Sequence, residues 1–205
     1  MKRDLWIPAL VCLFLAVPAL AGDIELTPTL GYRFGGDFEH LALNGTPADL
    51  SLDDGEEYGL IVTLPVSSCV DVEFRWTHQG TDLSPSLENA MGPTEVSSDS
   101  YLGGVVVFFP VENKAVKPFL NVELGTTQYD VNNGFSGDAG FTYAVGGGSK
   151  FYFGEHFGVR VQGSYLSGNI PGGKDVFCNA DVCYTGTSRN SVGQFELTTG
   201  FVFKF

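Results

Sequence analysis

The sequence predicts an all-β fold, an eight-stranded antiparallel up-and-down β-barrel that spans a membrane. Eight stretches after residue 21 alternate apolar and polar residues with a period of two, which is typical of strands with one face in apolar surroundings. Long and short connections alternate between them, as in barrels with short turns at one end and long loops at the other. No later apolar run is long enough for a membrane helix, and a membrane protein without one must close as a barrel.

The first 21 residues predict a secretory signal peptide. Lys2 and Arg3 precede an apolar run that ends in Ala19-Leu20-Ala21, the basic start, apolar middle and small-residue end of such peptides. A transmembrane anchor is the alternative, but Pro8 and Pro18 interrupt the run, which falls short of a span. We expect cleavage after residue 21, and residues 22–205 then form one barrel domain.

The eight predicted strands lie at 24–34, 57–64, 70–78, 100–109, 117–129, 141–153, 157–166 and 194–205. The segments 35–55, 79–98 and 167–191 are expected to be long polar loops at the cell surface, and the short links face the periplasm. Strand 100–109 is apolar on both faces, so its register stays open. The last strand ends on a bare aromatic residue, Phe205, which we expect to close the barrel against the first strand.

Aromatic residues gather near the strand ends, as they do at the two interfaces of membrane barrels. They are Tyr32, Phe34, Tyr58, Trp76, Tyr101, Phe109, Phe153, Phe157 and Tyr165. Period alone does not say which face points inward. A soluble eight-stranded barrel with an apolar, ligand-binding interior is therefore the alternative fold. The charges of both signs on successive polar faces favour the membrane barrel.

The polar faces predict a charged interior. The inward residues would be Glu25, Arg33, Glu57, Asp71, Glu73, Arg75, Glu123, Lys150, Arg160 and Glu196. Unpaired charges in a narrow lumen are costly, so we expect the basic residues Arg75, Lys150 and Arg160 to pair with Glu73, Glu123 and Glu196. The prediction is a plugged lumen. A small gated ion channel is the alternative, and a wide diffusion pore would need about 16 strands.

Net charge excludes one class of partner. The chain has 24 acidic and 11 basic residues and a net charge of −13, which becomes −14 once Lys2, Arg3 and Asp4 leave with the signal peptide. Nucleic-acid binding needs clustered Lys and Arg, so we expect no such partner. We expect no cofactor.

Catalytic and metal-binding motifs are weak. A lipid-modifying enzyme would need a base near a Ser nucleophile and an acidic residue. His78, with Asp82 and Ser84 after it, is the best candidate trio, but the His-x-Ser-Asn pattern of barrel lipid A deacylases is missing. The acidic residues of segment 35–56 suit calcium or magnesium in chemistry but match no known loop spacing. We expect no catalytic residue and no metal.

Three cysteines follow the signal peptide. Cys178 and Cys183 lie five residues apart in a turn-rich segment, and an oxidising compartment favours a disulfide between them. A metal site would need further ligands nearby, which this segment lacks. Cys69 is left over in a short turn. Pairing between two chains is the alternative, but we expect a free thiol.

Several motifs together resemble a known group. They are IELTPTLGYRFGG, a later YGL, the YLGG and KPF pieces, GGGSKFYF, the cysteine pair and the ending QFELTTGFVFKF. The ordered set is similar to small proteobacterial outer-membrane proteins of the OmpA/OmpX-like eight-stranded class. The resemblance implies a Gram-negative outer membrane, with lipids and lipopolysaccharide as partners. It also implies that Thr198, Gly200, Phe203 and Phe205 form the signal for the barrel-assembly machinery. We expect a monomer.

The class includes structural proteins, adhesins and enzymes, so it does not fix an activity. We expect a non-enzymatic outer-membrane protein whose extracellular loops carry its interactions. A lipid-modifying enzyme that uses His78 is one alternative, and a small ion channel is the other.

Overall fold

The computed structural model describes residues 24–43, 46–51, 53–82, 95–113, 115–131, 139–170, 175–178, 183–186 and 190–205. In these ranges it gives eleven strands: β1 (Glu25–Leu43), β2 (Thr46–Ser51), β3 (Gly55–Pro65), β4 (Val70–Asp82), β5 (Glu95–Phe108), β6 (Val116–Val131), β7 (Ala139–Tyr152), β8 (Phe157–Ile170), β9 (Asp175–Cys178), β10 (Cys183–Gly186) and β11 (Asn190–Lys204). No helix in this part of the chain is long and apolar enough to cross a membrane.

Eight of these strands form a closed antiparallel barrel, which confirms the predicted fold class. Each pairs with the next in the order β1, β3, β4, β5, β6, β7, β8, β11, and β11 pairs back with β1. The connections 66–69, 109–115 and 153–156 are short and lie at one end of the barrel. The other three strands extend the opposite end, because β2 and β10 pair with the far part of β1 and β9 pairs with β10.

The seam between β1 and β11 runs almost the full length of the barrel. It begins where Glu25 pairs with Lys204 and ends where Phe38 pairs with Val192. The backbone N–H of Phe205 donates to the carbonyl of Ile24 at 3.0 Å, so the last residue takes part in the closure. The pairing skips Thr27 and Pro28, since Pro28 has no N–H to donate.

A bulge bends β1 at the long-loop end of this seam. The register between β1 and β11 shifts between Phe34 and Asp37, and the two residues in between are Gly35 and Gly36. Their φ angles are 76° and 143°, a region that side chains with a Cβ rarely adopt. The bulge lets β1 continue past the barrel wall and pair with β2.

The barrel is polar inside and apolar outside. The largest fully buried side chains are mostly charged or amide groups: Arg33, Arg160, Lys150, Ile61, Gln79, Gln162, Glu73 and Glu123. Large apolar side chains face outward, with Leu30 68% exposed and Phe201 67% exposed. A soluble barrel with an apolar interior would have the opposite arrangement, so that alternative is wrong.

Strand extent is where the sequence prediction differs most from the structure. The segments 35–55, 79–98 and 167–191, predicted as loops, carry the ends of β1, β3, β4, β5, β8 and β11 and all of β2, β9 and β10. Backbone pairing does not require apolar side chains, so a ladder can continue where the alternation stops. In β5, the strand of open register, Leu102 and Val106 point inward and are buried.

Candidate functional site

The lumen holds two groups of ion pairs, which we call the Glu196 network and the Glu73 network. The Glu196 network comprises Arg33, Glu57, Arg75, Glu123 and Glu196, and the Glu73 network comprises Glu25, Glu73, Lys150 and Arg160. All nine side chains are buried. Alternation along the strands turns each of them inward, and the register of the closed barrel decides which ones meet.

The Glu196 network is a chain of alternating carboxylates and guanidiniums. Arg33 Nε lies 2.6 Å from Glu57 Oε2 and 3.3 Å from Glu196 Oε2. Arg75 Nη2 lies 2.6 Å from Glu123 Oε2, and Arg75 Nη1 pairs with Glu196 Oε1. Glu196 therefore joins the two arginines, and the chain of contacts links β1, β3, β4, β6 and β11 across the lumen.

The Glu73 network lies in the lumen toward the short-turn end. Glu73 Oε1 lies 2.6 Å from Arg160 Nη1 and 3.2 Å from Lys150 Nζ, and it accepts a hydrogen bond from Thr63 at 2.8 Å. Lys150 Nζ is also 2.7 Å from Glu25 Oε2. The two positive and two negative groups balance, so this network is neutral.

Aromatic and glycine residues make room for these long side chains. The Arg160 guanidinium lies 4.4 Å from the centre of the Phe119 ring, a cation–π distance. A Cβ on Gly148 would lie 2.1 Å from the carbonyl oxygen of Val161 and 3.0 Å from Phe119 Cζ. Gly148 thus lets β7 and β8 approach closely while the Phe119 ring supports the arginine.

An apolar cluster fills the wall of the lumen beside the Glu196 network. Leu102, Ala144 and Leu166 are buried together on β5, β7 and β8. Leu102 is the Cα partner of Arg75, and Ala144 is the partner of Glu123. An ion crossing here would lose water against apolar side chains, which is costly.

The lumen carries more acid than base. Its buried charged residues are the nine network members and Asp71, six acidic and four basic in the described part of the chain. Asp71 lies near the short-turn end and has no ion-pair partner within 4.0 Å among these residues. Glu57 Oε1 and Glu123 Oε1 accept no hydrogen bond from the described residues. The excess negative charge would favour cations if any ion entered.

The six lumen residues named from the sequence all lie in the two networks. Arg75 meets Glu123 and Glu196, whereas Lys150 and Arg160 both meet Glu73. Sequence reasoning placed Arg33, Glu57 and Glu25 inside the barrel but gave them no partner. Their partners follow from the register, which the alternation alone does not supply.

The candidate enzyme residue His78 faces outward, on the opposite side of the barrel wall from the networks. Its Nδ1 lies 3.1 Å from Asp99 Oδ1, which also accepts a hydrogen bond from Trp76 Nε1 at 3.1 Å. The Tyr58 ring centre is 5.0 Å from the His78 ring. The acidic partner of His78 is therefore Asp99, on β5, which sequence reasoning missed. The side chains of Asp82 and Ser84 lie outside the described residues.

The described residues contain no group of three or more side chains suited to a metal ion. In the acidic first loop, Asp54 Oδ1 accepts a hydrogen bond from the Gly35 backbone N–H at 2.8 Å, beside the bulge. Both Asp53 and Asp54 are exposed. The side chains of Asp37, Glu39 and Asp49 are outside the described set.

The backbone places Cys178 and Cys183 directly opposite each other in the β9–β10 hairpin. Their side chains are not among the described ones, so the disulfide stays a prediction. Cys69 is exposed in the turn between β3 and β4, and its thiol is free.

The residues of the expected assembly signal alternate across the last strand. Thr198 and Gly200 point into the lumen, and a Cβ on Gly200 would lie 2.5 Å from the Pro28 carbonyl oxygen. Phe203 and Phe205 point outward, and Phe203 packs against Phe157 with ring centres 6.0 Å apart. Phe205 is 75% exposed at the short-turn rim.

Solved outer-membrane proteins share this fold. The outer membrane protein OprG from Pseudomonas aeruginosa is 17% identical with a TM-score of 0.62, and the match covers 90% of this chain and 96% of that one. Neisserial surface protein A is 15% identical with a TM-score of 0.56, covering 89% and 97%. No family model matches the chain, and no curated protein sequence matches it. The chain has the fold of small eight-stranded outer-membrane barrels.

Proposed function

We propose that the protein is an integral, non-enzymatic protein of a Gram-negative outer membrane, with a plugged lumen and with extracellular loops that carry its interactions. The observation that carries this proposal is the inverted polarity of the barrel, with a charged interior and an apolar outer surface. An outward apolar band is stable in lipid and would be unstable in water. The likeness in fold to two outer-surface barrels supports it.

The aromatic residues support the same setting. On the long-loop side, ring centres lie 4.9 Å apart for Tyr32 and Phe34 and 5.0 Å apart for Tyr165 and Phe195. On the short-turn side, Phe153, Phe157 and Phe205 are exposed. Two such belts fit the two interfaces of a bilayer, with short turns in the periplasm.

Export and assembly complete the proposal. Residues 1–21 act as the signal peptide, the barrel-assembly machinery reads the last strand, and a disulfide joins Cys178 and Cys183 in an extracellular hairpin. The mature barrel is a monomer in contact with outer-membrane lipids and lipopolysaccharide.

Cell fractionation tests the membrane setting. We expect the protein in the outer-membrane fraction, with a shift in gel mobility on boiling because a closed barrel unfolds only when heated. Recovery in the soluble periplasm, or absence of the shift, would contradict the proposal.

Lipid chemistry tests the absence of enzymatic activity. Lipid A profiles of a deletion strain, of the wild type and of an H78A strain should be the same. On the proposed function, His78 modifies no lipid and only pairs with Asp99, which Trp76 also contacts, and packs against Tyr58. A lipid A species that disappears in both mutant strains would instead establish the enzyme alternative.

A further inference from the structure

A cavity of about 410 Å³ opens at the short-turn end of the barrel and borders the Glu73 network, since its lining residue Tyr152 donates a hydrogen bond to Glu25 at 2.6 Å. Its lining includes Lys117, Tyr152, Glu155, His156, Lys204 and Phe205. These residues come from the ends of β6, β7 and β11 and from the turn between β7 and β8. The cavity is thus the mouth of the lumen on the proposed periplasmic side.

Lys117 stands at the end of a row of three cations. It is the Cα partner of Lys150, and Lys150 is the partner of Arg160. Like charges directly opposite each other in a sheet are destabilising unless anions offset them. For the inner two cations, the anions are Glu25 and Glu73.

Lys117 differs from its two neighbours because no carboxylate of the described residues lies within 4.0 Å of its ammonium group. Its Nζ lies 5.0 Å from the centre of the Tyr152 ring and 5.7 Å from that of Phe108. The residue is exposed in the cavity. The aromatic rings position this cation, and no carboxylate of the described residues lies at ion-pair distance from it.

Other charges around the cavity limit what it can accept. Lys204 and His156 add donors, whereas the Glu155 carboxylate opposes an anion. Asp71, across the lumen on β4, interacts electrostatically with both Lys117 and Lys150. A polyanion would meet these carboxylates, so the mouth suits one small anionic group.

We propose that this mouth binds a single phosphate group, held by Lys117 with help from Lys204 and His156. The exposed rings of Phe153, Phe157 and Phe205 place the rim at the height of the lipid headgroups. The phosphate comes from a phospholipid of the inner leaflet or from a soluble phosphate ester of the periplasm. The assignment of the phosphate to a lipid or to a soluble ester rests on the proposed function. The charges that line the site do not depend on it.

Two titrations distinguish the sources. Isotope-labelled protein in a maltoside detergent, which carries no phosphate, is titrated with glycerol 3-phosphate and, separately, with short-chain phosphatidylglycerol. We expect saturable NMR shifts of the Gly154, Glu155 and His156 amides in at least one titration. Binding of the lipid assigns the site to a headgroup, and binding of the soluble ester alone assigns it to a soluble ligand. Absence of saturable shifts in both would overturn the proposal.

Two variants should change the affinity in opposite directions. Lys117→Gln removes the charge-assisted contact and should weaken binding about tenfold. Glu155→Gln removes a competing carboxylate from an exposed turn and should tighten binding about two- to fivefold. Equal affinity in the wild type and both variants would exclude this site. The mobility shift on boiling, measured on the same samples, separates failure of the barrel from failure of the phosphate site.

Discussion

Arg75 and Glu196 lie 121 residues apart in sequence, on β4 and β11, and their side chains form an ion pair inside the barrel. The two strands are not neighbours in the sheet. The pair therefore crosses the lumen and holds opposite walls together. Because Glu196 also meets Arg33, this one carboxylate neutralises charge on two strands at once.

Replacing Glu196 by Ala should destabilise the barrel by about 3–5 kcal/mol, since it leaves two buried arginines without their shared partner. Urea unfolding in lipid vesicles measures the change. Trp76, the only tryptophan after residue 21, serves as the fluorescent probe. The control is E112A, an exposed carboxylate in a short turn, which should change stability by less than about 0.5 kcal/mol. Equal effects of the two substitutions would contradict a structural role for the network.

Gly148 and Gly154 offer a matched comparison on β7 and the turn after it. A Cβ at Gly148 would lie 2.1 Å from the Val161 carbonyl oxygen, whereas one at Gly154 would have no atom within 4 Å. We expect G148A to destabilise the barrel by about 1–3 kcal/mol through overpacking and G154A to be nearly neutral. Unfolding midpoints of the two variants check this, and a neutral G148A would show that β7 and β8 can move apart freely.

A charge on the outer face tests the lipid-facing band. Leu120 points outward in the first half of β6 and is 54% exposed. L120R should lower the stability of the vesicle-embedded barrel by about 1–3 kcal/mol, between the cost of Arg at an interface and its cost at the bilayer midplane. The control is V111R in a short turn, which should have little effect. If L120R were as stable as V111R, the band would not lie in lipid.

Phe205 should matter for assembly through both its backbone and its ring. Its N–H closes the seam with Ile24, and its ring is exposed at the rim. We expect deletion of Phe205 to reduce outer-membrane levels far more than truncation of any long loop. F205A keeps the backbone bond, so folding into vesicles without the assembly machinery should stay close to wild type. Normal cellular levels of the deletion variant would contradict this role for the terminus.

The inward set of residues could be predicted from sequence because alternation has a period of two. Glu73 and Arg75 are two residues apart, so they must share a face wherever the strand lies. Which face points inward could not be deduced from the period. The structure places the polar face inside, with Arg33 and Lys150 fully buried.

Partners within the lumen could not be predicted, since they depend on register and on how the barrel closes. Arg33 meets Glu57 because β1 and β3 pair with Arg33 opposite Gly55, two residues away. Register also decides the acidic partner of His78. Asp82 is close to His78 in sequence, but the residue that contacts it is Asp99, on the neighbouring strand. The β9–β10 hairpin was missed because its residues show no clear alternation of apolar and polar side chains.

Electrical recording in planar bilayers tests the central claim, a lumen closed by paired charges, most directly. We propose that the two networks and the Leu102 cluster, all buried, plug the lumen. The purified barrel should then give no steady current steps. Recovery of the protein from the bilayer, with its mobility shift on boiling intact, confirms incorporation. Large, stable and reproducible openings of the wild-type protein would contradict the plugged lumen.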